Sequence, residues 1–130
     1  MAKGNPIPSA VRHTVRVRDQ GRCTICGGMG DEINHRIRRR EGGHSPANLH
    51  LVCSTDHQRL HSNPEWARDR GYIVSAVQDI DPASLPLRTW YGWAMLRHDG
   101  TSDVIAPMSV TPANLEGYLL DRLQEVQEAI

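Results

Sequence analysis

Residues 34–61 have the sequence NHRIRRREGGHSPANLHLVCSTDHQRLH, which predicts the central part of the fold. EINHRI, which overlaps its start, suits a short strand, and LHLVC alternates apolar and polar residues as a second strand does. Gly-Gly and Ser-Pro between them indicate a long loop. Ser54 or Thr55 is a suitable N-cap for a helix across DHQRLHS, on which His57 and His61 share one face. Two strands followed by a short helix are therefore expected.

Length and composition limit the class of protein. A chain of 130 residues fits one domain, and no apolar run approaches the roughly 18 residues that span a bilayer. The opening MAKGNPIPSA lacks the apolar segment of a signal peptide, so we expect a soluble, cytoplasmic protein.

The net charge of +0 conceals an uneven distribution, because residues 1–70 contain twelve Lys and Arg against seven Asp and Glu, and residues 71–130 contain three against eight. The basic part can attract phosphate although the whole chain is neutral.

The flanking segments predict further elements. AVRHTVRVRDQ is typical of a short basic helix with Ser9 as its N-cap, and Asn63-Pro64 predicts a second helix that ends before Gly71. YIVSAV favours a strand. Asp99-Gly100 indicates a hairpin between two β-rich runs.

The C-terminal segment predicts an acidic helix that begins at Thr111-Pro112. Its apolar residues fall along one stripe, which must be buried against another surface: Leu115, Leu119, Leu123, Val126 and Ile130. The stripe would either fold on the hairpin or form the seam of a dimer, with folding on the hairpin favoured. The chain is therefore expected to be a monomer or a homodimer.

The three cysteines indicate metal binding. An odd number of thiols cannot form a closed disulfide framework, and Cys-x-x-Cys followed by glycines suits a turn around a metal. Cys23, Cys26 and Cys53 would supply three thiolates, and a tetrahedral zinc ion needs one further ligand. Asp56 and His57 both have suitable spacing from Cys53. The spacing slightly favours His57 but leaves both ligands open.

The stretch 34–61 resembles the signature of HNH endonucleases, the ββα-metal or His-metal finger family, in a variant that binds zinc through an upstream Cys-x-x-Cys. RDQGRCTICG and HSNPEWARDRGY are similar to the flanks of small HNH proteins of actinobacteria and their phages. The resemblance covers about residues 15–75. It implies an α+β fold: a ββα-metal finger with a Cys-based zinc site, followed by a small hairpin and a C-terminal helix. Residues 1–75 would be the nuclease domain with its basic helix, and residues 76–130 an acidic extension packed on it or mediating partner contacts.

The resemblance implies catalytic roles for five residues of this stretch. His35 corresponds to the general base, Asn48 to the asparagine that orients it, and His57 and His61 to ligands of one catalytic divalent cation, which is Mg²⁺, Mn²⁺ or another transition metal. Asn34 occupies a ligand position at which the family commonly has Asp or His, and its neutral oxygen would hold the cation less tightly. The implied reaction is phosphodiester hydrolysis, in which His35 is neutral near pH 7 and takes a proton from water.

The resemblance also implies a structural zinc site and a DNA surface. The zinc site would consist of Cys23, Cys26, Cys53 and Asp56, in which Asp56 replaces the cysteine that usually completes the family's zinc site. Arginine binds phosphate bidentately, so the predicted DNA contacts are the arginines beside His35: Arg36, Arg38, Arg39 and Arg40. The implied substrate is double-stranded DNA, and the implied products carry 5′-phosphate and 3′-hydroxyl groups. A phage-encoded protein of this kind would act in the host cytoplasm beside a terminase or another packaging protein.

Two alternatives remain open. The chain would be a non-catalytic zinc-finger DNA-binding or adaptor module if it held one structural zinc ion and cut nothing, or a degenerate nuclease retained for a partner. Four further histidines have no evident partner and are expected to be structural or exposed: His13, His44, His50 and His98. His50 is expected to face away from the core because it alternates with leucines. The aromatic group of Trp90, Tyr91 and Trp93 favours a core role over base stacking.

Overall fold

The computed structural model describes residues 5–129 as an α+β protein with five helices and two small sheets. The first sheet pairs β1 (Glu32–His35) with β2 (Leu49–Val52) in antiparallel register. On one face of this hairpin Leu49 packs with residues of α1 (Ser9–Arg18), and on the other face Val52 packs with Leu60 of α3 (Ser54–Ser62). The two strands and the helix predicted from residues 34–61 are therefore confirmed. The predicted capping of α1 by Ser9 is not, because the N-cap is Pro8 and no side chain caps the helix.

The loop between β1 and β2 is ordered by one buried side chain. It contains a short helix, α2 (Arg39–Gly42), and a 3-10 turn at Pro46–Asn48. The Asn48 Oδ1 accepts a hydrogen bond from the Ile37 N–H at 2.7 Å, and its Nδ2 donates to the carbonyl oxygens of Ile37 and Gly43 at 2.9 and 3.1 Å. Asn48 therefore fixes the backbone that follows His35.

The helix predicted at Asn63-Pro64 is present as α4 (Pro64–Asp69). Gly71, just beyond it, has φ 82°, and a Cβ there would lie 2.1 Å from the Pro86 carbonyl oxygen. The strand predicted for YIVSAV is wrong. Tyr72 and Val74 bury their side chains as strand residues do, but the chain bonds to the Arg36 carbonyl through the Val74 N–H and then enters a 3-10 turn at Ala76–Gln78.

The remaining strands form a second, antiparallel sheet in the order β3 (Leu87–Thr89), β4 (Gly92–Leu96) and β5 (Ser102–Ala106). The predicted hairpin is confirmed, with Gly100 at φ 90° in the turn between β4 and β5. Trp93 is buried in this sheet, whereas Trp90 and Tyr91 are partly exposed at the turn before β4. The predicted core role therefore holds for Trp93.

Helix α5 (Pro112–Glu128) covers the second sheet with only the first part of its apolar stripe. Leu115 and Leu119 pack against Trp93 and Ala106, as the intramolecular alternative predicts. Leu123 and Val126 remain 57% and 58% exposed, and Ile130 lies outside the described residues.

One hydrophobic core joins the two halves of the sequence. Val52 and Leu60 from the first half cluster with Leu87, Ala94 and Leu96 from the second. Strands β3 and β4 are thus packed into the structure that holds the first hairpin. No helix within residues 5–129 has both the length and the apolar character needed to cross a membrane.

His50 is fully buried, so the prediction that it faces away from the core is wrong. The face of β2 that would be solvated in an isolated hairpin is covered by Tyr72, whose ring stacks on His50 with 5.7 Å between centroids. Burial lowers the pKa of His50 well below 6.5, and the nearby charges of Arg36 and Arg18 lower it further. His50 is therefore a neutral core residue at pH 7.

Candidate functional site

Four side chains converge where the Cys-x-x-Cys turn meets the N-terminus of α3. The ligand atoms of Cys23, Cys26, Cys53 and Asp56 all lie within 4.8 Å of one another. The Asp56 Oδ2 lies 3.3 Å from the Cys23 Sγ and 3.4 Å from the Cys53 Sγ, and the Cys26 and Cys53 sulfurs are 4.0 Å apart. Asp56, and not His57, completes this group.

The spacing of the group fits a tetrahedral zinc ion. Zinc bonds of about 2.3 Å to sulfur and 2.1 Å to oxygen place two sulfurs about 3.8 Å apart and a sulfur and an oxygen about 3.6 Å apart. The observed separations of 4.0, 3.3 and 3.4 Å are close to these values. The Gly28 and Asp56 N–H groups also donate to the Cys26 and Cys53 sulfurs, and such bonds stabilise thiolates. The four residues could therefore hold a metal ion.

Protonation of the thiols depends on what they bind. Burial raises the pKa of Cys23 to about 12, and burial also raises the pKa of Cys53. Without a cation these thiols keep their protons. A divalent cation offsets the cost of the buried negative charge, so metal binding would release protons and stabilise the fold.

The two histidines of α3 lie beside an acid from β1. The His57 Nδ1 is 2.7 Å from the Glu32 Oε1, and the His57 and His61 ring centroids are 5.1 Å apart. These three residues line an open pocket of about 390 Å³. Partial burial lowers the pKa of His61 below its usual value, and the neighbouring His57 lowers it further. Within residues 5–129 they do not form a group whose ligand atoms all lie within 4.8 Å.

The Asn34 side chain is buried and its amide nitrogen is already engaged. Its Nδ2 donates to the Tyr72 carbonyl oxygen at 2.8 Å and to the His50 Nε2 at 2.9 Å. The His50 Nδ1 in turn donates to the Thr24 hydroxyl at 2.7 Å, and this hydroxyl donates to the Leu51 carbonyl oxygen. Asn34 thus belongs to a buried hydrogen-bond chain that ties β1 to β2 and to Tyr72.

His35 lies at the end of β1, where its ring contacts another histidine. The His35 Nε2 is 3.1 Å from the His44 Nδ1, and the His44 Nε2 donates to the Asn5 carbonyl oxygen at 2.6 Å. Because that donation leaves the His44 Nδ1 as an acceptor, the His35 Nε2 carries the proton and its Nδ1 is free to accept one. Burial lowers the pKa of His35 to about 4, with further contributions from Arg39, His44 and Arg12. His35 is therefore neutral at pH 7.

Arg36 is not available as a DNA contact, so this prediction is wrong. The residue is 1% exposed, and its guanidinium donates to five carbonyl oxygens: Ala47, Gly71, Pro82, Leu85 and Pro86. Burial lowers its pKa to about 9, which keeps it charged at pH 7. Arg38, Arg39 and Arg40 are exposed and remain accessible to a phosphate.

Two site residues, Glu32 and His44, were missed in the sequence. Glu32 precedes Asn34 by two positions, and strand periodicity puts both on the face of β1 that looks toward α3, so this signal was present. His44 lies in an irregular loop, where spacing does not predict which side chain it meets.

The fold and the site together define an α+β protein with a Cys₃Asp group that could hold a metal ion. No family model, no curated protein and no solved structure matches the chain.

Proposed function

We propose that the chain is a metal-dependent endonuclease of the HNH type that hydrolyses double-stranded DNA and leaves 5′-phosphate and 3′-hydroxyl ends. One observation carries the proposal. The order β1, ordered loop, β2 and α3 places His35 at the end of the first strand, Asn48 beneath the backbone after it, and His57 with His61 on the helix. The proposed setting is the cytoplasm. For a phage-encoded chain this is the host cytoplasm, where the protein would act beside a terminase or another packaging protein.

The donors present fit two different metal ions. Three thiolates and a carboxylate suit structural zinc, whereas two imidazoles beside a carboxylate suit a catalytic transition metal ion such as Mn²⁺. Glu32 accepts the His57 Nδ1–H, which leaves the His57 Nε2 as the ligand atom, as carboxylates do behind many metal-bound histidines. A divalent cation held there supplies Lewis acidity toward the scissile phosphate.

His35 is in the protonation state that a general base requires. Its low pKa keeps it unprotonated, and the His44 Nδ1 fixes the tautomer whose Nδ1 can take a proton from water. The charges of Arg39 and Arg12, which depress its pKa, also favour a phosphate near this end of β1. In this proposal Asn48 acts by holding the loop after His35.

Plasmid nicking tests the proposal. Wild-type protein should nick supercoiled DNA with Mg²⁺ or Mn²⁺, and His35→Ala should abolish nicking while zinc content and thermal stability stay unchanged. His13→Ala is the matched control, because His13 is an exposed histidine on α1. Full nicking by His35→Ala, or none by the wild type with any divalent cation, would contradict nuclease function.

A second candidate is a zinc-binding DNA-recognition or adaptor module without catalysis. It is favoured by one observation: among the described residues, the Cys₃Asp group alone brings three or more metal-ligand atoms within 4.8 Å of one another. Elemental analysis separates the candidates. The nuclease should bind a second divalent ion that is lost in a His57→Ala, His61→Ala double variant, whereas the module should hold one zinc ion in both forms.

A further inference from the structure

Three arginines converge on a cavity apart from the histidines. The cavity has a volume of about 270 Å³ and lies between α3, α4 and β3. Its lining includes Arg59, Arg70 and Arg88 together with the rings of Trp66 and Tyr72. Arg59 follows His57 by two helix positions, so the two side chains leave α3 about 200° apart. The cavity is therefore on the side of α3 away from His57 and His61.

The arginines of this cavity lack an acidic partner. Within residues 5–129, no ion pair includes Arg59, Arg70 or Arg88, and no Asp or Glu lines the cavity. The Trp66 ring partly stabilises two of the charges, since the Arg59 and Arg70 guanidinium carbons lie 4.0 and 5.1 Å from its centroid. An aromatic face does not neutralise three converging cations, which repel one another at short range.

Arg88 supplies an independent sign of a missing partner. Its Nη2 donates to the Met108 carbonyl oxygen at 3.0 Å. Its Nε is buried and has no hydrogen-bond partner in the part of the chain that the structure describes. A buried donor without an acceptor is costly, and a bound ion is one of the explanations for such a group in a folded protein.

An oxyanion with several acceptor oxygens would offset the three charges. A small rotation of the Arg88 side chain would bring its Nε–H to the same oxyanion. Guanidinium groups bind phosphate through paired hydrogen bonds, and a phosphate group can bond to more than one arginine at once. A cavity of about 270 Å³ has room for one phosphate group and its nearest atoms.

We propose that Arg59, Arg70 and Arg88 form a phosphate-binding site beside Trp66, separate from the histidine site. The phosphate belongs either to a nucleic-acid backbone or to a small phosphorylated molecule. Phosphate binding at this site does not depend on DNA cleavage, so its test is independent of the test of the nuclease proposal.

The first test is an NMR titration of the zinc-loaded full chain with inorganic phosphate, with chloride at matched ionic strength as the reference. The indole N–H of Trp66 and the Nε–H of Arg88 should shift saturably with phosphate and much less with chloride. A parallel titration with a short DNA duplex distinguishes the sources. Shifts of the same two groups with the duplex identify a backbone phosphate, and shifts with phosphate alone identify a small ligand. Shifts in neither titration would overturn the site.

Two variants and a control test the residues. Arg59 is exposed, so Arg59→Ala should fold normally and weaken phosphate binding about tenfold, which is the ordinary cost of one charge-assisted contact. Arg88→Lys keeps the charge but lacks the fork of donors, and it should also weaken binding. Arg122→Ala removes one charge from exposed α5 and should leave binding unchanged. Equal losses in Arg59→Ala and Arg122→Ala would mean general charge attraction and would overturn the proposal.

Discussion

Arg36 and Arg38 are neighbours in one basic run, yet the structure gives them opposite roles. The Arg36 guanidinium donates to five carbonyl oxygens, whereas the Arg38 side chain is 79% exposed and pairs only with Glu41 at the surface. We therefore expect Arg36→Met to destabilise the fold and Arg38→Met to leave its stability nearly unchanged.

The magnitude follows from the acceptors left behind. Ala47 and Gly71 are buried, and their carbonyl oxygens lose the Arg36 donor, whereas the Pro82 carbonyl keeps a hydrogen bond from the Leu85 N–H at 3.3 Å. Each stranded acceptor costs about 1 kcal/mol or more, which gives about 2 kcal/mol for the two. Methionine also removes the desolvation cost of the buried charge, so the loss should stay well below the sum of five charge-assisted bonds. A loss of about 2 kcal/mol is a substantial fraction of the roughly 5–15 kcal/mol that holds a domain together.

Urea unfolding of the zinc-loaded protein at pH 7 measures this difference. Arg36→Met should lower the free energy of unfolding by about 2 kcal/mol, and the Arg38→Met control should change it by less than about 0.5 kcal/mol. DNA affinity, measured on the folded proteins, should fall for Arg38→Met and stay constant for Arg36→Met. Wild-type stability in Arg36→Met, or weaker DNA binding without loss of stability, would refute the structural role of Arg36.

Three further outcomes are expected. Asp56→Cys should bind zinc more tightly than the wild type and Asp56→Ala should bind it more weakly, as chelator competition would measure; equal affinities would exclude Asp56 as a ligand. His44→Gln can still accept a hydrogen bond from the His35 Nε2 and donate one to the Asn5 carbonyl, so it should retain the kcat for nicking. His44→Phe can do neither and should lower kcat at least about tenfold with KM unchanged. Similar kcat values for the two variants would show that His44 does not position His35. The pKa of His50 is depressed in the folded state, so below pH 6.5 the unfolded chain binds a proton that the folded chain does not bind. The free energy of unfolding therefore falls as pH falls below 6.5, by about 1.4 kcal/mol per pH unit. His50→Gln should remove that share of the pH dependence in urea unfolding between pH 7.5 and 5.5, and an unchanged slope would contradict the assignment.

Local signals in the sequence predicted most of the regular elements correctly. Asn63-Pro64 opens α4, Asp99-Gly100 lies in the hairpin turn, and the alternation in LHLVC marks β2. These features act within a few residues, since a proline ring or a turn geometry restricts the backbone wherever the segment lies. YIVSAV failed because its apolar pattern reflects burial of Tyr72 and Val74, and burial alone does not provide a strand partner.

The candidate site was predictable in part. The spacing of Cys23, Cys26 and Cys53 was sufficient to indicate a metal group, but the choice between Asp56 and His57 required the start of α3. The first turn of that helix directs Asp56 toward the sulfurs, and Glu32 holds His57 on another side. Adjacent residues on a helix point in directions about 100° apart, and the spacing of residues in the sequence does not say which of the two faces the sulfurs.

The sequence by itself determined most of the regular elements, the cysteine group and the basic character of the first half. The tertiary structure decided which polar side chains are accessible, because burial depends on segments far apart in the chain. Pro82 and Leu85 enclose Arg36, Tyr72 covers His50, and Arg88 from β3 meets Arg59 from α3. Side chains of the same chemical type therefore became a core residue in one place and a candidate ligand site in another.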